Sequence, residues 1–155
     1  MAASLTGGPT TDTFGPMAAS SQSHVTMLVS RRCDNHCVMC IERDALPGVD
    51  LSARRLRRGL QRYRDQGYRE LEISGYEPLT RRNLADLVAE AAALGYDPIR
   101  VLTNARGFAR AGRAARLLEA GVTAVAVSCH AADEDTEAQI ALQAGAFAAK
   151  RRGME

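Results

Sequence analysis

Cys33, Cys37 and Cys40 stand in a C-x3-C-x2-C run inside Arg32 to Cys40, RCDNHCVMC. Thiolate is a soft donor that selects iron–sulfur clusters, zinc or copper(I) over hard cations. Three cysteines this close cannot all pair as disulfides, but they are well placed to converge on one metal centre. A four-iron cluster held by three thiolates keeps one iron open to a ligand that is not protein, and that opening is a site for chemistry. The other chemistry these residues allow is a structural zinc ion, with His36, Cys129 or His130 as fourth ligand. Zinc sites usually take two C-x2-C or C-x4-C pairs, and the sequence holds no second pair.

The elements around this run predict where it sits. An apolar, β-branched segment, Val25 to Val29, leads directly into it, so the thiols fall in a loop at the end of a strand. A loop through Leu46-Pro47-Gly48 follows. Ser52 is an N-cap candidate for a helix with Ala53, Leu56, Leu60 and Tyr63 on one face, closed by Gly67. Glu70 to Ser74 is a second strand. Thr80 precedes a helix carrying Leu84, Leu87, Val88, Ala91 and Leu94, and Gly95 ends it. Ile99 to Asn104 is a third strand, Arg110 to Ala120 a third helix ending at Gly121, and Ala124 to Ser128 a fourth strand. Asp133 to Lys150 reads as a last helix interrupted by Gly145. Strands alternating with helices of this length predict βαβ units on a parallel sheet: an α/β fold of about four βα units, an incomplete TIM-like barrel. Crossovers should be right-handed with helices on the outer face. Ligands in such folds gather at the carboxyl ends of the strands.

Composition narrows the class. At 155 residues the chain has room for one domain, and 25% charged residues with 46% hydrophobic ones suit a soluble globular protein. A net charge of +2 argues for neither nucleic acid nor a membrane surface, and no apolar run is long enough to span a bilayer. Residues 1–23, rich in Gly, Pro, Ser, Thr and Ala, predict a disordered tail without the features of a signal peptide, and 24–155 the core domain. Clustered thiols without disulfide spacing suit a reducing compartment, so the cytoplasm is expected.

The strand ends carry more than turns. Ser74-Gly75-Tyr76-Glu77-Pro78-Leu79 follows the second strand, Leu102-Thr103-Asn104 closes the third, and Val127-Ser128-Cys129-His130 the fourth. Together with the cysteine run, these stretches resemble the radical S-adenosylmethionine (radical SAM) superfamily. SGYEPLT is similar to its Gly-Gly-Glu-Pro motif, LTN to its third-strand motif, and VSCH with the following ADEDTEAQI to its fourth strand and next helix.

The resemblance implies that Cys33, Cys37 and Cys40 hold three irons of a [4Fe–4S] cluster. The amino and carboxylate groups of S-adenosylmethionine would chelate the fourth, and an electron would cleave the cofactor to a 5′-deoxyadenosyl radical. By the same resemblance, Gly75, Tyr76, Glu77 and Pro78 would hold the methionine ammonium. Thr103 and Ser128 would bind its carboxylate or the ribose. An electron donor such as flavodoxin or ferredoxin would reduce the cluster.

The sequence also departs from the family. Met39 stands before the third cysteine, where an aromatic is usual, and Tyr76 replaces the second glycine of Gly-Gly-Glu-Pro. If that position needs φ > 0, a tyrosine there is strained. The family core usually has six βα units. Three functions therefore remain open. One is an enzyme whose barrel is completed by a second chain or by homodimerisation. The others are a non-catalytic cluster or zinc module, and an inactive truncated enzyme. The substrate is not legible.

Overall fold

A computed structural model of the chain describes residues 23–41 and 50–155. All of the expected tail (1–23) but Ser23, and the Leu46-Pro47-Gly48 loop, lie outside the described residues. Four strands, β1 (His24–Leu28), β2 (Glu70–Ser74), β3 (Ile99–Thr103) and β4 (Ala124–Val127), form one sheet in the order β1-β2-β3-β4. Every neighbouring pair is parallel. The helices α1 (Ala53–Asp65), α2 (Leu84–Ala93) and α3 (Arg113–Ala120) connect successive strands, and α4 (Glu134–Ala141) and α5 (Ala146–Met154) follow β4. This is the partial α/β barrel that the alternation predicts.

Register explains which side chains meet. Met27, Ile73, Val101 and Val125 lie in one row across the sheet, one step from Thr26, Glu72, Arg100 and Ala124 in the next. Side chains alternate between faces along a strand. The first row faces the helices, where Val25, Met27, Leu71, Ile73, Ile99 and Val101 join Leu56, Leu60, Leu84, Leu87, Val88 and Leu117 in the core. Members of the second row stay half-buried or exposed, with an Arg100–Glu72 ion pair at 3.8 Å.

Local signals set the ends. The Ser52 hydroxyl accepts from the Arg55 amide and starts α1. Leu84, Leu87, Val88 and Ala91, spaced by three and four, bury one face of α2. Three boundaries differ from expectation. The helix that Thr80 precedes does not start directly after it: Pro78–Thr80 is a 3-10 turn capped by Glu77, and α2 begins after Asn83. The third helix begins at Arg113 because Gly112 takes φ +72°. The last helical stretch is two helices, since Leu142 (φ +49°) and Gly145 (φ +71°) turn the backbone left-handed between them.

Candidate metal and cofactor site

The cysteine loop leaves the carboxyl end of β1 and is tied to three other elements. On the β2 side, the Glu77 amide donates to the Arg32 carbonyl at 2.9 Å. On the β3 side, Asn104 Nδ2 donates to Asp34 Oδ1 at 2.7 Å, and Arg106 pairs with Asp34 at 3.5 Å while donating to Asn35 Oδ1 at 2.7 Å. On the α4 side, the His36 and Val38 amides donate to the carbonyls of Ala141 (2.8 Å) and Ile140 (2.9 Å). The last carbonyls of a helix lack intrahelical partners, so the loop caps α4 as it is held by it.

All four cysteines are free thiols: Cys33 and Cys37 are half-buried, Cys40 and Cys129 exposed. Burial, opposed by the Asn35 amide and reinforced by Asp34 and Glu77, pushes the Cys33 thiol up to about 11. Burial and the neighbouring Cys40 also raise Cys37. Both shifts favour the protonated thiol, whose proton a bound metal would displace. Among the described residues, no three Cys, His, Asp or Glu side chains already stand together as metal ligands. What the loop supplies is the donor set: three soft thiols on one short segment at the ligand-binding rim. In type and place these residues fit an iron–sulfur group. Of the other zinc-ligand candidates, His36 and His130 are exposed, and Cys129 donates to the Ala131 carbonyl at 3.4 Å.

The Gly75-Tyr76-Glu77-Pro78 turn lies beside this loop. Gly75 has φ +92°, and a Cβ there would come within 3.0 Å of the Ser30 carbonyl and 3.1 Å of Leu28 Cα. Only glycine fits so close an approach. Tyr76 has φ +40°, left-handed backbone that costs a non-glycine residue roughly 1–2 kcal/mol. Glu77 is buried, with 1% exposure. Its Oε1 accepts from the Leu79 amide (2.8 Å) and the Thr103 hydroxyl (2.6 Å), and its Oε2 from the Asn104 amide (2.7 Å). Burial raises its pKa, and the bonds from Asn104, Thr103 and Leu79 oppose that rise. Glu77 thus ties the end of β2 to the end of β3.

The remaining hydroxyls differ. Thr103 donates to Glu77 and accepts from the Ala105 amide at 3.0 Å, so its oxygen is committed. Half-buried Ser128 is anchored by its own amide, which donates to the Thr103 carbonyl at 2.9 Å. No other described residue hydrogen-bonds its side chain. Met39 is exposed.

Sequence reasoning missed the Asp34–Asn104–Arg106 clamp and a second feature under the loop. Lys150 on α5 and Glu137 on α4 are 0% exposed and pair at 2.5 Å, with Glu137 Oε2 lacking a partner among the described residues. Glu137 also adds to the rise at Cys37. A single lysine in a chain so rich in arginine was the one available signal.

Comparison with known proteins agrees with this arrangement. The model of the Radical SAM superfamily matches residues 27–154. The chain belongs to the radical SAM superfamily. It is 34% identical over 134 residues to GTP 3′,8-cyclase of Rhodopseudomonas palustris (strain TIE-1), covering 82% of this chain and 37% of that protein. Its identity to GTP 3′,8-cyclase of Mycolicibacterium smegmatis is 35% over 164 residues, covering 96% and 43%. To the probable GTP 3′,8-cyclase of Methanopyrus kandleri it is 35% over 123 residues, covering 79% and 38%. The chain thus spans about two fifths of the length of these relatives. Among the described residues, no helix is long and apolar enough to cross a membrane.

Proposed function

We propose that the chain forms the front part of a radical SAM catalytic core, with Cys33, Cys37 and Cys40 as the cluster ligands. The observation that carries this reading is that the short loop bearing three free thiols is tied to the Gly75–Pro78 turn at the same rim, through the Glu77 amide and the Arg32 carbonyl. When bound, a [4Fe–4S] cluster with S-adenosylmethionine supplies a one-electron reductive cleavage of the cofactor; a small soluble electron-transfer protein such as flavodoxin or ferredoxin is the donor.

This chain's own residues have separable tasks. The backbone at Gly75 and Tyr76 faces the methionine ammonium, and Pro78 fixes the exit of that turn. Glu77 contributes a buried negative charge, and Oε2 retains acceptor capacity beyond its single bond. Thr103 orients Glu77, and Ser128 offers its hydroxyl to the methionine carboxylate or the ribose. Asn104 and Arg106 hold the cysteine loop against this rim. Further strands paired beyond β4, for which a second chain or another copy of this one is a candidate, would complete the sheet and bring the substrate contacts. A reducing compartment, the cytoplasm, suits free thiols.

The test is anaerobic reconstitution with iron and sulfide. The expected result is about four irons with matching acid-labile sulfide per chain, lost in Cys33→Ala, Cys37→Ala and Cys40→Ala but not in Cys129→Ala. Zinc without acid-labile sulfide would establish a structural metal module instead.

A further inference from the structure

A second concave site lies on the helix side of the rim, between the amino-terminal ends of α2 and α3. Its cavity, about 270 Å³, is lined by Arg81, Arg82, Arg110, Arg113 and Arg116 together with a few apolar residues. Elsewhere arginines meet carboxylates: Arg57 pairs with Glu90, Arg100 with Glu72 and Arg106 with Asp34. Among the described residues, none of the five cavity arginines has a carboxylate within ion-pair distance.

Two of the five are preset. Arg81, only 7% exposed, spends its terminal nitrogens on the carbonyls of Val29 (2.8 Å) and Leu51 (2.9 Å), while its buried Nε has no acceptor among the described residues. Arg113 is held by the carbonyls of Leu79 and Arg81. Burial, then the charge of Arg110, lowers its pKa; Glu77 opposes this and Arg116 adds to it. Arg113 thus feels repulsion from Arg110 and Arg116 that a bound anion would relieve. Arg82, Arg110 and Arg116 are exposed at the mouth. The two helices that open onto the cavity add to the field. Neither Asn83 nor Gly112 caps its helix with a side chain, so first-turn amides of α2 and α3 are left without that partner. Uncapped amino-terminal turns favour anions.

We propose that this cavity binds a polyphosphate group. Guanidinium pairs with phosphate oxygens through paired N–H donors. Arg82, Arg110, Arg113 and Arg116, with Arg81 adding its charge but no free terminal nitrogen, match a di- or triphosphate better than a single phosphate dianion. The site is separate from the thiols, so it stands or falls independently of the cluster reading.

Isothermal titration of the full chain with inorganic pyrophosphate and with orthophosphate tests it, at low salt because such contacts are screened. The expected result is saturable one-to-one binding, tighter for pyrophosphate, and weakened about tenfold or more in R110A/R116A. R54A/R58A, which removes two exposed arginines from α1, should leave binding within about twofold of the parent. Far-UV circular dichroism confirms that both variants keep the fold. Absence of saturable pyrophosphate binding would overturn the proposal, as would equal weakening in the two variants.

Discussion

The ends of β1, β2 and β3 and the end of β4 belong to one rim, yet they are built differently. At the first three, nearly every polar group is committed: Glu77 accepts three hydrogen bonds, Thr103 both gives and takes, and Asn104 and Arg106 clamp Asp34. At β4, the Ser128 hydroxyl has no partner among the described residues, Cys129 and His130 are exposed, and Val125 on the helix-facing row is 43% exposed. The difference teaches which part of the rim is finished within this chain. The backbone of the cysteine loop and the Gly75–Pro78 turn are tied in place by hydrogen bonds, while the three thiols still have to be drawn together by the group they bind; the β4 end offers its groups outward.

The sharpest way to break the comparison is at the support of the cysteine loop. Lys150→Ala would leave Glu137 buried and unpaired, and should cost roughly 3–5 kcal/mol in urea unfolding. The double change Glu137→Leu with Lys150→Met should recover most of that, since it removes both charges at similar volume. If Lys150→Ala is neutral, α4 and α5 do not brace the loop.

Glu77→Ala comes next. It strands the Leu79 and Asn104 amides and the Thr103 hydroxyl, and should destabilise by about 3 kcal/mol. The pH dependence sharpens this. Because burial raises the folded Glu77 pKa above its ordinary 4.5, its contribution is fully present below that value. It is then lost as pH rises through the higher folded value. The parent should therefore lose stability relative to Glu77→Gln as pH climbs from 4.5. Parallel stability–pH curves for the two proteins would show that Glu77 does not titrate this way.

Tyr76→Gly is a smaller change. Relief of left-handed strain works for it, while the entropy glycine adds to the unfolded chain and the loss of the tyrosine's own side-chain interaction work against it, so the net shift in urea unfolding should stay within about 1 kcal/mol. It should also tighten S-adenosylmethionine if that backbone faces the ammonium; equilibrium dialysis with the reconstituted protein measures it. Smallest of all, Val125→Ala should cost less than about 1 kcal/mol, while Val101→Ala, fully buried in the same row, should cost about 2. Equal losses would mean that β4 is as sealed as its neighbour.

Much of this was legible in the sequence. Alternation at Val25 and Met27, at Leu71 and Ile73, and at Ile99 and Val101 fixes which faces are buried, and spacing by three and four does the same for α1 and α2. The Tyr76 departure also read correctly, because the position does take φ > 0. Glu77 reads as a ligand-facing acid from its motif. Its service to Thr103 and Asn104, 26 and 27 residues away, depends on strand ends that meet only in the fold. The start of α2 was displaced because Glu77 and Pro78 favour a short 3-10 turn over an α-helix at that point. The Glu137–Lys150 pair was hidden because helix periodicity assigns charged residues to the surface, and only the packing of α4 on α5 encloses both.

The most direct measurement is electron paramagnetic resonance of the anaerobically reconstituted, dithionite-reduced chain, with and without S-adenosylmethionine. The account predicts a [4Fe–4S]⁺ signal that changes shape when the cofactor is added, because three thiolates leave one iron open to it. A cluster signal that the cofactor leaves unmoved would contradict the account, as would a protein that assembles no cluster.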